Sequence, residues 1–203
     1  MLPFVAIWLV LLTGVGWLLS NPLKQAVAGE DAVNRSLAAS RTPGWDSATN
    51  VMSLVANTGS IIITMFVAMG IYWLIARRLR DVLPVFVGVA AQATVFLLTT
   101  LLIDRPRPEV PKLDQSPPTS SFPSGHTGAA TALYLGLVIL CLRRFPSVAA
   151  RVLTTVVFGV VPLLVAGSRL YRGMHHPSDL VFGLLNGIIC ATIAYLAFRP
   201  PRD

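Results

Sequence analysis

The sequence predicts an all-α fold, an integral membrane helical bundle with six transmembrane helices. Three observations lead there. Hydrophobic residues make up 54% of the 203 and charged residues only 12%, against about 25% charged in ordinary soluble domains; mean hydropathy is +0.69. Uncharged stretches of membrane-crossing length recur along the chain, and arginines cluster immediately after several of them, where basic residues flank membrane spans. The same composition excludes a soluble single-core domain, a disordered chain, a collagen-like fibre and a disulfide scaffold.

Taken in order, the uncharged runs are residues 1–23, 47–76, 82–103, 127–142, 152–168 and 180–198, where about 17–25 apolar residues cross a bilayer as a helix. The fourth lengthens if it begins at Phe122. The first lacks a basic flank before its long apolar part, so a retained span is expected rather than a cleaved signal peptide. Residues 21–50 mix charges with alanines and end in Arg41-Thr42-Pro43-Gly44, which predicts a short extramembrane helix followed by a turn. The stretch PEVPKLDQSPPTSS, from Pro108, holds too many prolines for a helix or a central strand. The chain therefore reads as a single membrane-embedded domain over 1–203, with 21–50 outside the membrane and active-site loops at 104–126 and 167–178.

Net charge is +7, yet its distribution argues against nucleic acid as a partner. Arg77, Arg78 and Arg80, then Arg143 and Arg144, then Arg199 and Arg202 each follow a long uncharged run. The 16 basic residues divide evenly between the two sides of the membrane. Those packed into short loops beside spans carry the weight of the positive-inside rule, which predicts cytoplasmic termini and an active site facing the extracytoplasmic side, in a multi-pass protein of the cell membrane. Trp8, Trp17, Trp45 and Trp73 are expected near the interfaces. Arg172 and His176 are expected to be interfacial anchors. Cys141 and Cys190 fall inside apolar runs and read as small hydrophobes. Glycines 59, 70, 128, 136, 183 and 187 are expected to permit close helix packing.

Three polar clusters interrupt the hydrophobic sequence and contain every histidine. Arg105-Pro106-Arg107-Pro108 follows the third span, Pro123-Ser124-Gly125-His126 opens the fourth, and Ser168-Arg169 closes the fifth, with His175 and Asp179 shortly after. Two spans separate the two loops, so all three clusters face the same side. Three arginines, Ser124 and the free N–H groups of a helix start form a site for an anion with several oxygens, and phosphate fits best. A metal fits poorly, because carboxylates are few and the surrounding cations would repel Mg²⁺ or Zn²⁺. Phosphoryl transfer needs an in-line attacking atom and stabilised equatorial oxygens. An imidazole can attack phosphorus if its far nitrogen is held and its charge compensated; His175 with Asp179 supplies that pair, and His126 would protonate the leaving alkoxide and later activate water.

Ten of these positions in order, Arg107-Pro108, Pro123-Ser124-Gly125-His126, Ser168-Arg169, His175 and Asp179, resemble the three signature motifs of the type 2 phosphatidic acid phosphatase superfamily, which also includes vanadium haloperoxidases and bacterial acid phosphatases. The span count resembles its six-helix membrane branch. The resemblance implies a lipid phosphatase without metal or other cofactor, with His175 as nucleophile, Asp179 as its partner, His126 as acid and base, and Arg107, Ser124, Gly125 and Arg169 holding the phosphate. One position departs: Thr100 stands where the family's first motif has lysine, and Arg105 is expected to compensate as a phosphate ligand. The expected substrates are polyprenyl diphosphate, phosphatidylglycerol phosphate or phosphatidic acid. A lipid-linked phosphotransferase using the same phosphohistidine, and a non-catalytic anion transporter, are the alternative readings.

Overall fold

A computed structural model describes residues 1–198. Those residues form eight helices, α1 (Leu2–Ser20), α2 (Glu30–Ala39), α3 (Pro43–Val55), α4 (Thr58–Ala76), α5 (Leu79–Leu102), α6 (Gly125–Arg144), α7 (Val148–Tyr171) and α8 (Pro177–Ala197). Six of them, α1 and α4 to α8, are long and apolar enough to cross a membrane. Arg199 and Arg202, counted among the basic flanks, lie outside the described residues.

The spans match the uncharged runs except in the second. The run from residue 47 to 76 is broken at Ala56-Asn57: Asn57 accepts a hydrogen bond from the Ser60 N–H, at 2.8 Å, and caps a new helix. The part before the break is the last two turns of α3, so the second span is α4 alone. The expected turn at Arg41–Gly44 is instead a helix start. Thr42 caps α3 and Pro43 occupies its first position, where a missing N–H costs nothing. Likewise Gly125 and His126 are already in the first turn of α6, and the residues from 167 to Tyr171 still belong to α7, so both active-site loops are shorter than expected.

Span direction alternates, which places α2, α3, the 103–124 loop and the 172–176 loop at one end of the bundle. The central helix is α6, which packs against α5, α7 and α8. Its inward residues, among them Ala130, Leu133 and Leu137, join Val82 and Val85 of α5 and Val165 of α7 in the main core. A smaller core gathers Leu12 of α1, Val95, Phe122 and Cys190. Small residues set the closest approaches. A Cβ on Gly183 would lie 2.7 Å from the Ser124 carbonyl, and one on Gly136 3.2 Å from Val85; Gly128 and Gly187 are crowded in the same way, whereas Gly59 and Gly70 have room. A Cβ on Gly88, a glycine outside that set, would lie 3.1 Å from the Ala191 Cα.

Trp8 departs from its expected interfacial position. Its Nε1–H donates to Asn186 Oδ1 at 2.9 Å, midway along both α1 and α8. A buried asparagine in the hydrocarbon region needs a partner, and Trp8 provides one.

Candidate active site

Five of the eight phosphate-binding and catalytic candidates line one cavity of about 460 Å³. Arg107, Gly125, His126, Arg169 and His175 line its polar end together with Gln115 and Thr119 of the 103–124 loop, and mostly apolar residues of α4, α5 and α6 line the rest. Ser124 lies just outside it, fully buried. Its backbone N–H donates to the Asp179 carbonyl at 2.9 Å, and its hydroxyl pairs with Thr127 at 3.0 Å. Ser124 therefore does not cap α6 through its side chain, leaving the first-turn N–H groups of that helix open toward an anion. Gly125 is required by space: a Cβ there would lie 2.8 Å from the Phe96 ring.

His175 is held differently from expectation. Its Nδ1 lies 2.8 Å from the Ser121 carbonyl, an acceptor only, so Nδ1 carries the proton and Nε2 keeps its lone pair. Asp179 Oδ2 stands behind, 3.8 Å from Nδ1, as a charge partner rather than the direct hydrogen-bond acceptor. Burial lowers the His175 pKa from its ordinary 6.5, against the opposing pull of Asp179. The imidazole is thus kept neutral, the form a nucleophile requires.

Asp179 itself is fully buried and saturated. It accepts from the Ser121 hydroxyl, from the His176 N–H at 2.8 Å and from Arg105 Nη1 at 2.5 Å. Arg105 is accordingly a correction to the sequence reading. It does not line the cavity with the histidines; it bridges Asp179 to Glu30 of α2, with Nη2 2.9 Å from Glu30 Oε2. Glu30 in turn accepts from the Ser178 N–H at 2.8 Å, closing the start of α8. Arg105 therefore cannot replace the cation missing at Thr100, whose hydroxyl is spent on the Leu97 carbonyl at 2.9 Å.

The two arginines that do line the cavity are each anchored and each incomplete. Arg107 Nη1 donates to the Met174 carbonyl at 2.8 Å. Arg169 Nη1 donates to Ser53 at 2.6 Å and to Asp114 at 2.5 Å. The Nε atoms of both are buried without a partner among the described residues, which is costly unless a ligand accepts from them. Asp114 went unnoticed in the sequence because it sits in the proline-rich loop with no motif around it. Burial alone would raise its carboxyl, but hydrogen bonds from Arg172 and the nearby Arg169 hold it below the usual range.

Arg172 and His176 are not interfacial anchors. Arg172 grips Asp114 through Nη2 at 2.6 Å and Nε at 2.9 Å and is buried. His176 forms a capping box with Asp179 at the start of α8 and lies 3.3 Å from Asp31.

Unpartnered guanidinium donors, an open helix start and a neutral imidazole at the mouth of a six-span bundle define an integral membrane enzyme built around an oxyanion. Comparison with known proteins makes the class specific. Residues 81–202 match the PAP2 superfamily, and the chain belongs to it, as a membrane-embedded phosphatase. It is 24% identical to phosphatidylglycerophosphatase B of Bacillus subtilis (strain 168) over 166 residues, 80% of this chain and 79% of that one. Among solved structures it resembles a transmembrane PAP2-type phosphatidylglycerolphosphate phosphatase from Bacillus subtilis, with TM-score 0.81 and 18% identity over 95% of this chain and 93% of that one. It also resembles LpxE of Aquifex aeolicus, with TM-score 0.64 and 20% identity over 81% and 93%. These structural likenesses establish a shared fold.

Proposed function

We propose that this protein hydrolyses a lipid phosphate or lipid diphosphate without a metal, through a phosphohistidine on His175. The observation that carries the reading is the cavity shared by both histidines and by two arginines with unpartnered Nε–H groups. The phosphate rests on Arg107, Arg169 and the first-turn N–H groups of α6. His175 Nε2 attacks phosphorus as the P–O bond to the lipid breaks, and protonated His126 gives its proton to the departing oxygen. Neutral His126 then takes a proton from water, whose oxygen displaces His175 and releases inorganic phosphate. The Ser121 carbonyl, with Asp179 behind it, supports the charge that develops on His175.

Access supports a lipid substrate. Ile62 of α4 and Leu97 of α5 line the cavity yet are 45% and 53% exposed, so the cavity opens sideways between those helices where a tail could remain in the bilayer. The named relative acts on a phosphatidylglycerol phosphate, and that class fits here. Basic residues in the short loops, Arg77, Arg78, Arg80, Arg143, Arg144 and Arg151, support cytoplasmic termini and an extracytoplasmic active site in the cell membrane.

Phosphate release by the purified protein in detergent, with EDTA present, tests the reading. His175→Ala should release none. His126→Ala should release phosphate far more slowly than the wild type, and wild type quenched early in turnover should carry an acid-labile, alkali-stable phosphoenzyme that His175→Ala lacks. Full release by His175→Ala would overturn the assignment.

A further inference from the structure

Arg107 and Arg169 both line the cavity, but they are held in different ways. Arg107 leans on backbone carbonyls, those of Met174 and Ser120. Among the described residues Arg169 is held by side chains alone, and both hydrogen bonds leave from Nη1: one to the Ser53 hydroxyl of α3 at 2.6 Å, one to Asp114 Oδ2 at 2.5 Å. A guanidinium is planar, so fixing Nη1 from two sides fixes the plane of the whole group. With both Nη1 hydrogens taken, Nη2 is the terminal nitrogen left for a ligand, and it meets no acceptor among the described residues. The residue that carries it lines the cavity with both histidines.

Asp114 can hold an arginine in place because it is itself locked. Arg172 grips both of its oxygens, with Nη2 on Oδ1 at 2.6 Å and Nε on Oδ2 at 2.9 Å. The remaining Arg172 nitrogen, Nη1, donates to the Asp46 carbonyl at 3.0 Å and to Thr49 at 3.3 Å, both in α3. Beside it the Leu113 N–H donates to the Arg172 carbonyl at 3.2 Å. The proline-rich loop is thereby clasped between α3 and the end of α7. Asp114 does not line the cavity, so it touches no substrate; what it can set is the direction of Arg169. A long side chain at a cavity wall has many rotamers, and aiming it beforehand removes an entropy cost that binding would otherwise carry.

We propose that Asp114, locked by Arg172, is a positioning residue that aims Arg169 at the phosphate. The inference rests on the phosphate site of the reading above and adds the group that orients it. It also accounts for a carboxylate beside a site for an anion: both Asp114 oxygens are taken up by guanidinium groups, so its charge is spent on them.

The test measures binding of radiolabelled inorganic phosphate, and kcat/KM on a short-chain diacylglycerol phosphate, by the full-length protein in detergent below each variant's melting temperature. Asp114→Asn keeps an acceptor oxygen but not the charge. It should weaken phosphate binding and lower kcat/KM by about tenfold each, the value of one hydrogen bond to a charged group. Ser53→Ala removes the neutral holder of Nη1 and should show the same losses at about threefold, which keeps the inference open to test if the first variant does not fold. A purely structural clasp would reduce the amount of folded protein and leave the phosphate affinity of the folded fraction unchanged. In an Arg169→Ala background, where Arg107 still binds, Asp114→Asn should change phosphate affinity by less than about twofold, because the group it acts through is gone. Wild-type affinity in Asp114→Asn, or a loss that persists undiminished in the Arg169→Ala background, would overturn the inference. Arg169→Ala with wild-type affinity would overturn it together with the phosphate site. The expected pattern of affinities without phosphate release from any lipid would leave it standing and remove the phosphatase reading alone.

Discussion

Replacing Arg105 by leucine separates a phosphate ligand from a residue that acts through Asp179. In the structure the guanidinium is 5% exposed, 2.5 Å from Asp179 Oδ1, 2.8 Å from the Ser178 hydroxyl and 2.9 Å from Glu30 Oε2. Removing it leaves Asp179, which has no exposure, with neutral donors only. Breaking a buried ion pair from one side costs about 3–5 kcal/mol. At roughly 2–4 °C per kcal/mol for a chain of this size, the melting temperature should fall by about 6–20 °C.

Kinetics separates the two roles. If Arg105 positions Asp179, and Asp179 supports His175, then kcat and kcat/KM should fall together, by about ten- to a hundredfold, or roughly 1.4–2.7 kcal/mol in the barrier. KM should hold. Glu30→Gln, which keeps an acceptor for the Ser178 N–H, should show the same pattern more weakly, so the reasoning survives even if the leucine variant fails to fold. A rise in KM at constant kcat would place Arg105 on the substrate and refute the argument, as would an Arg105→Leu protein that melts with the wild type.

The remaining predictions concern charge and pH. Asp114→Asn should lower stability at neutral pH by about 1.5–3 kcal/mol, the range for hydrogen bonds to a charged group. Because the folded Asp114 pKa is depressed below 3.8, its contribution is complete above that value and is lost as pH falls through the folded pKa. The melting-temperature gap between wild type and variant should therefore close only in strong acid; a gap that persists there would mean the carboxylate charge is not responsible. His175 has the opposite ionisation but the same direction of loss. Its folded pKa lies below 6.5, so as pH falls below 6.5 the unfolded chain takes up a proton that the folded protein refuses, and stability declines. The same neutral imidazole should keep kcat/KM undiminished at pH 6.5, with the acid limb below it; a limb centred above 6.5 would contradict a buried, uncharged nucleophile.

The number of spans, the meeting of the polar clusters at one end of the bundle and the pair of histidines that share the cavity are legible in the sequence. Each is a local property: hydrophobic length fixes which segments cross, parity fixes where their ends lie, and Ser168-Arg169, His175 and Asp179 stay close on folding because they lie on or flank the one short connection between α7 and α8. The break at Asn57 does not show as an interruption of the uncharged run because asparagine caps a helix without carrying a charge.

The partners of the site residues were decided by tertiary structure alone. Arg105 reads as a ligand from its neighbour Arg107, yet its bonds go to Glu30 and Asp179, 75 and 74 residues away. Asp114 meets Arg169 across 55 residues, and the Ser121 carbonyl takes the place expected of Asp179 across 54. A sequence can show that a buried charge needs compensation. Which group supplies it depends on how the helices pack, since a guanidinium or imidazole bonds to whatever acceptor that packing brings within about 3 Å.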